Sequence, residues 1–232
     1  MKPIIVIPTY NERGNITKLI PALFSQGISG LEIIVVDDNS PDGTAHEVEI
    51  LRAKYPVHII KRLRKLGLGS AYITGFKKAL ALGADYIFEM DADFSHDPND
   101  VQRFLSALDQ ADLVIGSRRI PGSKIIGWNI WRHCTSWAAM GFSRIFLKLK
   151  THDVTAGFRA YRRQVLETID LDTIKSNGYA FQEETLFRVE RLNLRVAEIP
   201  VTFFDRKIGK SKLSGKDIME FFKVMLRLRR GL

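Results

Sequence analysis

YIFEMDADFSHDP, residues 86–98, decides how this chain is read. Tyr86, Ile87, Phe88 and Met90 form an apolar, β-favouring run that reaches two aspartates, Asp91 and Asp93, with Pro98 soon after. A short apolar run bounded by turn residues predicts a buried strand. Proline suits the first turn of a following helix. Side chains at i and i+2 of an extended chain share a face, so both carboxylates are expected to aim at one spot beyond the strand's carboxyl end. In open α/β sheets that edge binds ligands. Two hard oxygen donors with room for water suit Mg²⁺ or Mn²⁺ held jointly with substrate phosphates. A polar turn explains the same pair equally well.

Working outward, strands and helices alternate. Residues 4–7 are a continuous apolar strand ending at Pro8-Thr9-Tyr10-Asn11-Glu12, and Ile16, Leu19, Ile20, Leu23 and Phe24 follow at helical spacing. A second strand over 31–36 stops at Asp37-Asp38. A helix is predicted near 45–55, a third strand at 57–60, a basic loop at 61–65, and a helix opened by Gly67-Leu68-Gly69 and running to about 82. The strand leading to Asp91 is the fourth. A helix near 99–108 and a fifth strand at 112–115 lead into Gly116-Ser117-Arg118. This alternation predicts an α/β fold with a doubly wound, mostly parallel sheet and right-handed crossovers. Strands that are apolar throughout agree, because such sheets are covered on both faces. Glu12, Asp37 and Asp38, and Asp91 and Asp93 then end three strands at one edge, where they can converge.

Gly67 and Gly69 raise a dinucleotide-binding alternative. That fingerprint needs a third glycine where Tyr72 stands and belongs after the first strand, so it is rejected.

With 232 residues, 45% hydrophobic and 26% charged, the chain can bury a full core. One cysteine, Cys134, leaves no internal disulfide, and Met1-Lys2-Pro3 runs directly into a strand. A reducing, cytoplasmic setting is expected. The most apolar long region, 125–149, is broken by Arg132, His133, Arg144 and Lys148, which argues against a membrane span. The net charge of +9 is uneven: residues 206–230 hold nine Lys/Arg against Asp217 and Glu220, a local +7. Such a tail points to an anionic partner. A non-catalytic nucleotide- or nucleic-acid-binding protein would share that charge, but the aromatic and basic RNA-reading motifs are absent, and no nucleic acid is expected.

IPTYNE, VVDDNSPDGT, KLGLGSAY, MDADFSHDP, IGSRR and AGFRAYRR, in that order, resemble the family-2 glycosyltransferases, and within them the dolichyl-phosphate (polyprenyl-phosphate) mannose synthases. The resemblance runs from Val6 to about Lys212. It implies a glycosyltransferase-A-type, Rossmann-like fold with a catalytic domain over 1–212 and a basic amphipathic helix over 213–232, packed on the domain or lying at the membrane surface. It also implies metal-dependent, inverting transfer of mannose from GDP-mannose to dolichyl or polyprenyl phosphate; glucose or an amino sugar as donor is the alternative.

By the same resemblance, Pro8, Tyr10, Glu12, Val36 and Asp38 surround the base and ribose. Asp91 and Asp93 hold the metal, with the Ala92 backbone against the nucleotide. Ser95 stands where the family pattern allows glutamine, a shorter neutral oxygen at the metal. Arg118, Arg132 and Ser136 receive the acceptor phosphate, and Arg206 and Lys212 close over the diphosphates. Glu183 and Glu184 match an acidic pair near the sugar, with core salt bridging as the competing reading. Some relatives carry transmembrane helices after this domain; the expected setting is peripheral, on the cytosolic face of a membrane, with a membrane-embedded partner subunit among the expected partners.

Two amphipathic stretches bear on the lipid. In 127–149, Trp128, Trp131, Ala138, Phe142, Ile145 and Leu149 recur at three- and four-residue steps, fitting either a membrane interface or plain core. In 216–230, Ile218, Phe221, Phe222, Met225 and Leu228 oppose Lys223, Arg227, Arg229 and Arg230. A strand is predicted within 157–162, a helix at 181–192 and a last strand at 195–204.

Overall fold

The computed structural model describes residues 1–176, 178–205 and 215–230. A seven-stranded sheet runs through it, its strands in the spatial order 57–61, 32–37, 3–9, 86–89, 159–162, 113–117 and 196–200. The strands β1 (Pro3–Thr9), β2 (Glu32–Asp37), β3 (Val57–Lys61) and β4 (Tyr86–Glu89) are parallel, as are β5 (Leu113–Ser117) and β8 (Val196–Pro200). The helices α1 (Arg13–Phe24), α2 (Thr44–Arg52), α3 (Leu68–Ala81) and α4 (Val101–Ala107) fall where the 3.6-residue periodicity predicts them, within a few residues at the ends. A 3₁₀ turn at Pro98–Asp100 precedes α4, capped by the Asp97 side chain, which accepts from the Asn99 N–H.

Burial explains the uninterrupted apolar strands. Ile4 and Val6 enter one core with α3 and the C-terminal helices, while Ile5 and Ile7 enter a second core with α1 and α4. Alternate side chains leave opposite faces of a strand, and here both faces are dry. The two glycines of KLGLG belong to this packing. Gly67 takes φ 98° to turn the chain into α3. A Cβ on Gly69 would lie 2.6 Å from the Ser176 carbonyl and 2.9 Å from the Phe181 ring. Gly69 therefore lets α3 approach α7 (Gly178–Arg191) closely.

Three features depart from the expected outline. The strand in 157–162, β7 (Arg159–Arg162), runs antiparallel between β4 and β5. The expected last strand divides at Pro200, which has no N–H to continue a ladder. Beyond it, β9 (Thr202–Phe204) pairs with a short strand, β6 (Lys124–Ile126), in a separate two-stranded sheet. The third departure lies in the aspartates: β4 ends at Glu89, so Asp91 and Asp93 project from a turn, not from strand alternation.

The helix expected in 127–149 is α5 (Ile130–Leu147). α6 (Arg163–Thr168) was not foreseen, and α8 (Gly215–Arg229) buries Val224, Met225 and Leu228 in the first core. Among the described residues no helix is long and apolar enough to cross a membrane.

Candidate active site

The chain winds outward from β1 through β2 to β3, then crosses back to place β4 on the other side of β1. The loops after β1 and β4 part at that switch point, where open sheets form a crevice. On the β1 side, Tyr10 is exposed with the Lys65 ammonium 3.9 Å from its ring centre. Pro8 is half-buried. The Glu12 carboxylate accepts from the Asn15 amide at 2.7 Å, and its backbone N–H donates to the Thr44 hydroxyl.

Of the two aspartates at the end of β2, Asp37 builds the loop that follows. It accepts from the Thr9 hydroxyl at 2.9 Å and the Ser40 N–H at 2.9 Å. Asp38 is buried and pairs with the Arg62 guanidinium while accepting from the Leu66 N–H at 3.2 Å. Arg62 also donates to Ser70 and to the Gly67 carbonyl, so Asp38 fastens the 61–67 loop to the mouth of α3. The Val36 side chain lies wholly in the core and offers the crevice no surface.

The Asp91–Asp93 turn is shaped by its own polar groups. Asp93 accepts from the Ser95 N–H at 3.0 Å, the local bond that short acidic side chains favour in turns. Phe94 takes φ 61°, a left-handed conformation uncommon for a bulky residue. Ala92 and Ser95 are buried. The His96 ring accepts the Asp91 N–H at Nδ1 (3.2 Å) and stacks on Phe158 at 4.8 Å. Burial lowers the His96 pKa against the pull of the Asp91 and Asp93 carboxylates, and Arg118 lowers it further. His96 is thus a neutral acceptor under the turn.

Tyr72, from α3, donates to Asp91 Oδ1 at 3.2 Å. Burial, then the nearby Asp91 and Glu89 charges, hold its phenol well above the ordinary value.

Glu89 lies beneath the turn, fully buried. It accepts from Tyr161 at 2.7 Å and from Gln182 at 2.6 Å. Burial pushes its carboxyl up to about 7, although the Arg159 charge and these two bonds pull the other way. Arg159 is itself fully buried and donates to the carbonyls of Val154, Ala156 and Gln182 and to the Thr185 hydroxyl.

These donors fit a hard divalent cation. Among the described residues no cluster of three or more His, Cys, Asp or Glu side chains offers a complete protein cage. Two carboxylates on a tight turn, with the nearest imidazole nitrogen occupied, suit an ion whose coordination is completed by water and substrate phosphate.

Arg118 leaves the end of β5 beside this turn. It grips the buried Asp153 carboxylate through Nε at 2.8 Å and Nη2 at 2.7 Å, and donates to the Thr155 hydroxyl at 2.9 Å. Burial would raise the Asp153 carboxyl, but Arg118 outweighs it and holds the group below the usual range. The Arg118 guanidinium lies 5.3 Å from the Phe203 ring centre and 5.7 Å from that of Trp128. Arg132 stacks on the same indole at 4.4 Å and pairs with Asp205 at 2.7 Å. Ser136, one turn along α5 from Arg132, accepts from Arg119 at 2.9 Å. Two guanidinium groups thus share one indole. His96 links them to the acidic turn, since it meets Phe203 edge-on at 6.3 Å.

Glu183 and Glu184 are both fully buried. Glu184 pairs with Arg188 at 2.8 Å and Arg227 at 2.5 Å, and Glu183 accepts from Ser143 at 2.6 Å. Core salt bridging accounts for Glu184; among the described residues Glu183 is held by the Ser143 hydrogen bond alone, and its second oxygen is buried without a hydrogen-bond partner. Arg206 and Lys212 lie outside the described residues.

Of the expected apolar stripe, Trp131, Ala138, Phe142 and Ile145 face outward, with Trp137 beside them, whereas Trp128 is half-buried and Leu149 lies in the core; the buried face of α5 is Met140, Ser143 and Leu147. Sequence reasoning did not single out Arg62, Tyr72, Glu89, Asp153 or Arg159. Tyr72, Glu89 and Arg159 stood inside quoted motifs, but each acts through at least one partner far away in sequence, as do Arg62 and Asp153.

A family model for glycosyl transferase family 2 matches residues 4–170. The undecaprenyl-phosphate mannosyltransferase of Micrococcus luteus is 46% identical over 93% of this chain and 88% of its own length. The polyprenol monophosphomannose synthase of Mycolicibacterium smegmatis is 44% identical over 96% of this chain and 85% of its own. Among solved structures, glucosyl-3-phosphoglycerate synthase from Mycobacterium tuberculosis, held with Mn²⁺, UDP-glucose and phosphoglyceric acid, superposes with a TM-score of 0.71 at 20% identity. The match covers all of this chain and 80% of that one; at that identity the likeness concerns the fold. A mostly parallel sheet with flanking helices, an acidic turn at its switch point and sequence relatives of this kind together mean that the chain belongs to glycosyl transferase family 2 and is a glycosyltransferase.

Proposed function

We propose that this enzyme transfers mannose from GDP-mannose to a polyprenyl or dolichyl phosphate, inverting the anomeric configuration. The observation that carries the reading is the closeness of an acidic turn and a pair of arginines, Asp91 and Asp93 on one side of His96 and Arg118 with Arg132 around Trp128 on the other. The names of the two relatives support mannose and a lipid phosphate as the transferred group and its acceptor.

The chemistry needs little proton transfer. A phosphate monoester has a second pKa of about 6, so the attacking oxygen is already an anion and no strong general base is required. The difficulty is electrostatic, because a dianion must approach a diphosphate. Asp91 and Asp93, with Ser95 nearby, would hold Mg²⁺ or Mn²⁺, which supplies neutralisation of the departing diphosphate when bound. Arg118 and Arg132 present planar donors that match phosphate oxygens two at a time, and Ser136 adds a hydroxyl. Pro8, Tyr10, Glu12 and Asp38 line the nucleotide side, with Val36 contributing backbone only and Ala92 backing the turn. Arg206 and Lys212 complete the diphosphate site. Backside displacement by the lipid phosphate on the anomeric carbon expels GDP and inverts that centre.

The exposed Trp131, Trp137, Phe142 and Ile145 of α5, with Met219, Phe222 and Leu226 of α8, support peripheral seating on the cytosolic face of a membrane. In this reading 1–212 is the catalytic domain, 213–232 an interfacial helix, and a membrane-embedded subunit an additional partner. A donor panel tests the sugar assignment: labelled GDP-mannose, UDP-glucose and UDP-N-acetylglucosamine are each offered with a short polyprenyl phosphate. GDP-mannose is expected to label the lipid; labelling from a UDP-sugar alone overturns the donor.

A further inference from the structure

Tyr72 has no role in the reading above, yet its hydroxyl meets Asp91 from inside the core. We propose that Tyr72 is a positioning residue that fixes the Asp91 carboxylate in the orientation needed to grip a divalent cation. The proposal rests on the assignment of Asp91 as a metal ligand.

The geometry is one of a rigid arm. The Tyr72 side chain is fully buried, and its ring is stacked with Phe181 at 5.8 Å, 10° between planes, and with Phe76 at 5.9 Å, 27°. The helix carrying it cannot slide easily. A Cβ on Gly69 would strike the Ser176 carbonyl, and one on Gly75 would lie 2.2 Å from a Val6 methyl. Close packing of this kind leaves a ring little freedom. From that fixed ring the O–H donates to Asp91 Oδ1, while the other end of the same residue, its backbone N–H, is bonded to His96. Asp91 is therefore held at both its backbone and its carboxylate. Partners behind a ligating carboxylate set its orientation, and losing one typically weakens metal affinity about 10- to 100-fold.

Thermodynamic coupling between metal and nucleotide reads this directly, without turnover. GDP affinity is measured by calorimetry with saturating Mn²⁺ and again with EDTA, in wild type, Tyr72→Phe, Asp91→Asn and Tyr161→Phe. Tyr161→Phe removes an equally buried hydroxyl, one bonded to Glu89 and not to a proposed ligand. The expected result is that Tyr72→Phe lowers GDP affinity about tenfold in Mn²⁺ and leaves it unchanged in EDTA. Tyr161→Phe should keep the wild-type ratio, with thermal melting confirming that both variants fold. A wild-type ratio in Tyr72→Phe, beside a lost one in Asp91→Asn, overturns the positioning role and leaves the metal reading standing. Equal losses in Tyr72→Phe and Tyr161→Phe reduce the effect to general loosening and overturn the role as well. A full ratio in Asp91→Asn overturns both.

Discussion

Glu183 donates no charge to the site, but it makes the molecule sensitive to pH. Burial pushes its carboxyl up to about 7 from an ordinary 4.5, against the Ser143 hydrogen bond and the Arg159 charge. An acid with a raised folded-state pKa stabilises the fold fully below 4.5, and that contribution is lost as pH rises through about 7. By linkage the loss is on the order of 3 kcal/mol at most. Glu183→Gln should therefore match wild type near pH 4.5 and exceed it above pH 7, read as urea unfolding free energy across that range; parallel curves would contradict the assignment. At the acceptor side, Arg132→Ala should raise the KM for the lipid phosphate tenfold or more, as expected for losing a charge-assisted contact. GDP affinity by calorimetry should stay within about twofold, and equal loss of both would reassign the residue. Residues of this kind differ in legibility. Asp91 and Asp93 stood out because paired carboxylates at the end of an apolar run match metal chemistry, whereas Arg118 and Arg132 were singled out by the family resemblance. Asp37 and Asp38 read alike in sequence, yet one closes its own loop and the other clasps Arg62, which only the fold reveals.

At the scale of elements, packing overrides propensity on α3. Alanine is worth about 1 kcal/mol more than glycine inside a helix, but Gly75 faces Val6 with no room for a methyl. Gly75→Ala should destabilise by a net 1–3 kcal/mol, the usual cost of overfilling a core; a gain in melting temperature would show that α3 can shift. The exposed face of α5 behaves in the opposite way. Trp131 and Trp137 are 76% and 69% exposed, so replacing both with alanine should leave the melting temperature nearly unchanged. Partition onto anionic vesicles should fall at least tenfold, since even partial burial of an indole contributes about 1–2 kcal/mol. Unchanged partition would point to a protein partner on that face. Periodicity located most helices within a few residues, and the apolar runs located β1 to β5. The antiparallel direction of β7 and the split at Pro200 were not legible, because strand direction depends on how the chain returns across the sheet. Nor could periodicity tell which way the α5 stripe faced.

Across the whole molecule, the fold serves to bring loops distant in sequence to one edge. The segments 8–12, 37–44, 61–67, 91–96 and 117–119 emerge together because β1 to β5 are mutually parallel, with β7 reversed among them. Two dry cores hold that edge in place, and buried Glu89 and Arg159 sit immediately beneath the turn that bears the aspartates. The general plan was readable from alternation and strand-end chemistry; the polar layer under it was not, since its members are spread from Glu89 to Gln182. The most direct measurement is transfer of labelled mannose from GDP-mannose to a short polyprenyl phosphate by wild type and Asp93→Asn, with Mn²⁺ and with EDTA. The account predicts β-linked lipid product from wild type in Mn²⁺ alone, and at least a hundredfold less from the variant. Equal transfer in EDTA, or full activity in Asp93→Asn, would contradict it.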